Sequence, residues 1–216
     1  MSKKVLVVLS GCGVFDGTEI HEAVISMLAL DRSGAVATFA APNINQMHVI
    51  NHATGDVMDE QRNVLVEAAR ISRGNIEDLA DVDVADFDAV FLPGGFGAAK
   101  NLSTFATEGS NCSIDGDVER TLKAFHGASK PIGAVCIAPA VVVRALGAVT
   151  VTIGSDAGTA EGLTAMGGAH ENKSVSECHV DSANKIVTAP AYMIETGIAE
   201  VAKGIEAAIE ELLAMA

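Results

Sequence analysis

Cys136 sits in the run Pro131-Ile-Gly-Ala-Val-Cys136-Ile-Ala-Pro139. An apolar stretch bounded by Pro131 reads as a short buried strand, and Pro139 suits the first turn of a helix, where a missing N–H costs nothing. A thiol between the two faces the N-terminal pole of that helix, whose dipole and free N–H groups favour thiolate. Enzymes hold a nucleophile above a sheet in this strand–turn–helix context. A buried cysteine in an Ala/Val-rich core fits the same run, and on this stretch alone the two readings stand level.

Two other stretches could serve such a thiol. Gly94 and Gly95 directly follow the strand-like Phe87-Asp-Ala-Val-Phe-Leu92. Glycines there let the backbone turn its N–H groups inward, as an oxyanion hole requires. A simple tight turn fits equally; a phosphate loop lacks its Walker spacing and its Lys-Ser/Thr. Glu22 lies early in a helix that follows the first strand, where a carboxylate can reach the C-terminal edge of a sheet. An ordinary solvated helix glutamate is the competing reading.

These residues need elements to hold them. Apolar runs predict strands over 4–10, 35–41, 87–92, the segment ending at Cys136, 148–153 and 185–189. The first helix is expected to be capped by Asp16, with Glu19 at its third position and Phe15 against Ile20 as a hydrophobic staple. Its apolar stripe would be Ile20, Ala23, Val24, Met27 and Leu28, with Gly34 as its stop. Further helices are predicted over 59–73, 118–126, 140–146, 159–166 and 192–214. Residues 42–80, carrying His48, Asn51, His52 and Arg62, form a small insertion, and 103–115, with Cys112, a polar loop long enough to be a lid. Strands alternate with helices throughout. The expectation is a single α/β domain over 1–216, doubly wound and flavodoxin-like, with a mostly parallel sheet and helices on both faces.

Composition narrows the chemistry. The 216 residues are 49% hydrophobic but only 4% aromatic, so the core is built from Val, Ile, Leu and Ala. Lys+Arg 14 against Asp+Glu 28 gives a net charge of −14, which repels phosphate backbones and anionic lipid and excludes nucleic-acid and membrane binding. Small neutral electrophiles suit that charge. No signal segment or membrane-length run is found, so a cytoplasmic protein is expected. The cysteines, Cys12, Cys112, Cys136 and Cys178, are scattered with no C-x-x-C, which suggests neither a metal site nor a disulfide framework.

Three separated pieces together resemble the ThiJ/PfpI group of the class I glutamine amidotransferase-like fold: Leu92-Pro-Gly-Gly95 with Asn101-Leu102, Val135-Cys136-x-x-Pro139, and Glu22. Leu9-Ser-Gly-Cys-Gly13-Val-x-Asp-Gly17, Phe96-Gly-Ala-Ala-Lys-Asn-Leu102 and Cys136-Ile-Ala-Pro139 are similar to the enhancing-lycopene-biosynthesis (ElbB), isoprenoid-associated branch over nearly the whole chain. The resemblance implies Cys136 as nucleophile and Glu22 as the carboxylate that shares its hydrogen bond and shuttles protons. It implies oxyanion contacts from Gly94, Gly95 and the N–H of Ile137. The implied activity is a weak, glutathione-independent glyoxalase of the lyase type that turns glyoxal into glycolate, with deglycase chemistry close by. No metal or cofactor is required, and a homodimer is expected. The chain departs from many relatives where a histidine would complete a triad: Cys136 is followed by Ile137, Thr152-Ile-Gly154-Ser155-Asp156 holds no histidine, and His170 and His179 lie further along. Glutaminase and protease chemistry lose ground to a Cys–Glu dyad, and a redox-sensing or stress-response protein is the alternative.

Overall fold

In the computed structural model, residues 2–216 are described. The strands are β1 (Lys4–Val8), β2 (Val36–Ala41), β3 (Glu77–Asp78), β4 (Ala89–Leu92), β5 (Ile132–Val135), β6 (Thr150–Val151), β7 (Ala169–His170), β8 (His179–Asp181) and β9 (Ile186–Ala189). The helices are α1 (Ile20–Arg32), α2 (Val64–Ala68), α3 (Phe96–Lys100), α4 (Phe105–Glu108), α5 (Gly116–Gly127), α6 (Pro139–Leu146), α7 (Ala157–Ala165) and α8 (Ile198–Met215).

A seven-stranded sheet runs in the order β3-β2-β1-β4-β5-β9-β8. Its pairs are parallel except β8 with β9, which is antiparallel. Alternate side chains of a strand point to opposite faces, and here both faces are covered. Leu6, Val90 and Ile132 pack with Leu122, Phe125 and Val142 from α5 and α6 on one face. Val7, Phe91, Val135 and Val187 pack with Ala23, Ile205 and Leu212 from α1 and α8 on the other. Full burial of side chains this size contributes roughly 1.5–3 kcal/mol each. The doubly wound α/β expectation is therefore met. Because β1, β4 and β5 are parallel neighbours, their C-terminal ends emerge side by side, and the order reverses at β1, where such sheets leave a crevice.

Several boundaries differ from the sequence expectation. Asp16 does not cap α1: its Oδ2 accepts the Ile50 N–H at 2.7 Å, and Glu19 takes the capping position, its Oε2 accepting from Glu22 N at 2.7 Å. The expected stripe of α1 divides. Ala23 is buried, whereas Ile20, Val24 and Leu28 are exposed at 43%, 50% and 43%. The inward face is Glu22, Ala23, Ile25, Ser26, Ala29 and Leu30, and its small residues let the helix sit close to the sheet.

The expected strand over 148–153 shrinks to β6, which leaves the main sheet and pairs with β7. Within 42–80 only α2 is α-helical, capped by the Asn63 side chain and followed by Arg73 and Gly74 at φ 59° and 85°, where a helix cannot continue. Residues 103–115 are packed rather than lid-like: α4, a 3₁₀ turn and the Ser103–Ile114 bridge fold the segment, and Cys112 is buried. The last helix starts at Ile198 rather than at Tyr192.

Candidate active site

The turn after β5 places Cys136 at φ 60°, a left-handed conformation that costs a non-glycine residue on the order of 1 kcal/mol or more. Its N–H donates to Ala189 O at 3.0 Å, so the end of β9 fixes the elbow. Ala138 and Pro139 then start α6 with no side-chain cap. Glu22 is its neighbour: Cys136 Cβ and Glu22 Oε2 both lie against Gly94, and the two groups act on each other's charge.

Glu22 is fully buried. Its Oε2 accepts the Gly94 N–H at 2.8 Å and its Oε1 accepts the Tyr192 N–H at 3.2 Å. Burial, and then the charge of Glu19, push its carboxyl up to about 8, against the pull of the Tyr192 N–H, Cys136 and the Gly94 N–H. The competing reading of a solvated helix glutamate does not hold. This carboxyl holds its proton at neutral pH and can release it within about a unit of it, which suits a group that moves protons.

Cys136 is buried as well, and the thiolate expected from a helix pole is not what this environment favours. Burial pushes the thiol well above its ordinary value and the Glu22 charge pushes it further, while the N–H groups of Gly95 and Ile137 pull the other way. Pro139 at the helix start has no N–H to offer the sulfur. With both acids raised, the pair holds its protons at neutral pH and releases them in two successive steps as pH rises, because the charge left by the first opposes the second.

The expected oxyanion contacts therefore separate. Gly95 and Ile137 direct N–H groups at the sulfur. Gly94 does not, because its N–H is committed to Glu22. Its glycine identity has a different cause: a Cβ there would overlap the Cβ of Cys136 and come within 2.7 Å of Glu22 Oε2 and 2.9 Å of Val135 O. Gly95 has φ +92°, and a Cβ would run into the backbone of Glu19 and Gly17. Gly95→Ala is accordingly expected to lose at least about 2 kcal/mol, from left-handed strain plus a backbone collision that no side-chain motion relieves. Urea denaturation monitored by circular dichroism checks it.

A cavity of about 370 Å³ opens beside the sulfur. Its apolar wall is Val14, Phe96, Ile137 and Met193, and its polar groups are Glu19, Asp156, Thr159 and Tyr192. The sequence does not mark those four polar residues as cavity lining; of them only Glu19 carries any signal, as the third position of the expected capping box. His21, likewise unmarked, bonds the Tyr192 hydroxyl through Nδ1 at 3.0 Å. Neither His170 nor His179 lines this cavity. His170 Nε2 accepts from Ile153 N at 3.3 Å, and burial lowers both imidazoles. His52 stacks on Phe15, and Arg62 pairs with Glu60 and Glu67, away from the thiol.

The family model for the DJ-1/PfpI family matches residues 3–196. The chain belongs to the DJ-1/PfpI family. That family is the ThiJ/PfpI, amidotransferase-like group expected from the motifs, and it includes enzymes. The ES1 protein homolog, mitochondrial, of Rattus norvegicus is 50% identical over 97% of this chain and 83% of its own length. A human relative, glutamine amidotransferase-like class 1 domain-containing protein 3, mitochondrial, is also 50% identical, over 97% of this chain and 82% of its own. The crystal structure of an isoprenoid biosynthesis protein with amidotransferase-like domain from Ehrlichia chaffeensis superposes with a TM-score of 0.94 at 38% identity, covering 99% of both chains. The expectation of a cytoplasmic protein is overturned here, since the relatives at 50% identity are mitochondrial proteins.

Proposed function

We propose that the chain is a glutathione-independent glyoxalase-type enzyme acting on small α-dicarbonyls through Cys136 and Glu22. The observation that carries this reading is a fully buried carboxyl beside a thiol at a strained elbow, the thiol's residue lying on the wall of a cavity. Membership of the DJ-1/PfpI family, which points to stress-response, deglycase or protease-like chemistry, supports it. The amidotransferase-like isoprenoid biosynthesis protein among its structural relatives supports placing it in the lycopene-associated branch.

In this reading the reactive form carries ionised Glu22, a fraction that grows as pH approaches 8: the sulfur adds to one carbonyl carbon of glyoxal while Glu22 takes the thiol proton and passes it to the new C1 oxygen. That oxygen rests against the N–H groups of Gly95 and Ile137. Glu22, ionised again, removes the C1 hydrogen as a proton; the bond's electrons form C1=C2, and the C2 carbonyl pair moves onto its oxygen. Glu22 returns the proton to C2, and the proton on the C1 oxygen ends on the C2 oxygen, leaving a thioester of glycolate. Water breaks the C–S bond and restores the thiol. The cavity exceeds what a two-carbon aldehyde needs, leaving room for that water and for dicarbonyls with a side group. A homodimer accords with the habit of the family. A redox sensor is not favoured, because sensing thiols are exposed and low in pKa, whereas Cys136 is buried and raised.

Glycolate formation from glyoxal by the purified protein is the direct test; no turnover at any pH between 6 and 9 would overturn the reading. Because neither His170 nor His179 reaches the cavity, the double variant His170→Ala/His179→Ala should keep the rate within a few-fold of the parent. A collapse of glycolate production in a folded double variant would put a histidine back into the mechanism.

A further inference from the structure

Tyr192 is held in an unusual way. β9 ends at Ala189, Pro190 follows, and Ala191 takes φ 45° before a 3₁₀ turn over Ala191–Met193. A left-handed alanine is a strained choice where glycine would be comfortable, and strain of this kind persists where the surroundings enforce it. What it achieves here is twofold. The Tyr192 N–H is brought to Glu22 Oε1 at 3.2 Å, and Tyr192 becomes part of the cavity wall beside Cys136.

The hydroxyl is not left to solvent. It bonds His21 Nδ1 at 3.0 Å, and that nitrogen lies 3.9 Å from Glu19 Oε1. His21 has 56% of its side chain exposed, so its ring touches both the phenol and bulk water. The phenol stays protonated well into the alkaline range, since burial, Glu19 and Glu22 all raise it. The cavity therefore presents two sets of donors. Gly95 and Ile137 N–H groups serve the sulfur side, and Tyr192, whose hydroxyl bonds His21, lines a further part of the wall. A simple aldehyde has one oxygen and needs only the first set. A dicarbonyl has two oxygens on adjacent carbons, and the second gains charge when the C1 hydrogen leaves.

We propose that the Tyr192 hydroxyl, backed by His21, receives the second oxygen of an α-dicarbonyl bound to Cys136 and thereby selects dicarbonyls over simple aldehydes. This rests on the glyoxalase reading of the same cavity and adds to it a residue for substrate choice. In the enolisation step Tyr192 donates its proton to the C2 oxygen and takes one from His21, which refills from water. The proton on the C1 oxygen then leaves to water, so the count is unchanged.

Tyr192 is the chain's single tyrosine and there is no tryptophan, so intrinsic fluorescence reports on this one side chain. Alkylation of Cys136 by iodoacetamide, followed by mass spectrometry, measures how well glyoxal or acetaldehyde occupies the thiol. Glyoxal is expected to protect Cys136 and to change the tyrosine emission of the parent. Tyr192→Phe keeps the backbone bond to Glu22, and should weaken protection by glyoxal roughly tenfold, the loss of one strong hydrogen bond, while protection by acetaldehyde stays within about twofold. His21→Ala should act in the same direction. Equal loss for both aldehydes, or none for glyoxal, would overturn the proposal, and an unaffected His21→Ala protein would overturn the part given to His21. A parent that binds glyoxal selectively but never forms glycolate would sink the glyoxalase reading and leave the role of Tyr192 standing. A parent in which glyoxal fails to protect Cys136 would sink both.

Discussion

Replacing Cys136 by serine is expected to leave a folded protein with no measurable conversion of glyoxal. The change is nearly isosteric, and the left-handed turn at φ 60° stays held by the N–H bond to Ala189 O. The hydroxyl, however, ionises several units above a thiol, and the buried setting that raises Cys136 would raise it further. Glu22 at about 8 is a sufficient base for a thiol but a poor one for an alcohol. Losing a nucleophile that acts as a unit with its base lowers turnover by at least about 10³-fold. Glycolate assays beside a circular dichroism spectrum check it, and residual turnover above one per cent with native folding would remove Cys136 from the mechanism.

Glu22→Gln carries two large expectations. Turnover should drop by about 10²-fold or more, since the amide cannot carry the proton that the mechanism moves. Stability should also change its dependence on pH. The folded Glu22 pKa, about 8, lies above the ordinary 4.5, so between these values the folded protein holds a proton that the unfolded chain has released. The stabilisation is complete below 4.5 and is lost as pH rises through 8, with a slope approaching about 1.4 kcal/mol per pH unit. The glutamine variant has no such proton, so this slope should vanish. It also cannot accept from both the Gly94 and the Tyr192 N–H, which costs roughly 1–3 kcal/mol at every pH. Parent and variant are thus expected to be furthest apart in acid and to converge or cross above pH 8. Urea midpoints from pH 5 to 9 measure this; parallel curves would return Glu22 to an ordinary structural role.

What the sequence made legible follows from where the information is local. β1, β4, β5 and β9 are continuous apolar runs buried on both faces, and such runs announce themselves. Cys136 between Pro131 and Pro139 is likewise a local pattern. β3, β6 and β7 are two residues long and exist only through their partners, so no periodicity marks them.

Hydropathy alone puts Val24 and Leu28 on the core face of the first helix, although both are exposed. The close approach of α1 instead selects Ala23, Ser26 and Ala29. Gly94 and Gly95 look alike in sequence. Only the fold reveals that one N–H serves Glu22 and the other the sulfur. Tyr192 was invisible for the same reason: its place depends on a left-handed alanine, a conformation that no alanine advertises.

Two of the left-handed residues, Cys136 and Ala191, stand at the C-terminal ends of the neighbouring strands β5 and β9. One holds the thiol beside Glu22, and the other brings a backbone donor to Oε1 of the same carboxyl. Glu22 is thereby gripped between two bent springs whose anchors are hydrogen-bonded rungs of a single ladder. A disturbance that slides β9 along β5 would relax both springs together, letting the carboxyl swing and the sulfur turn away in one motion. The proposed chemistry of this centre is thus tied to the register of two buried strands, and a fault deep in the sheet would register as lost alignment at the thiol.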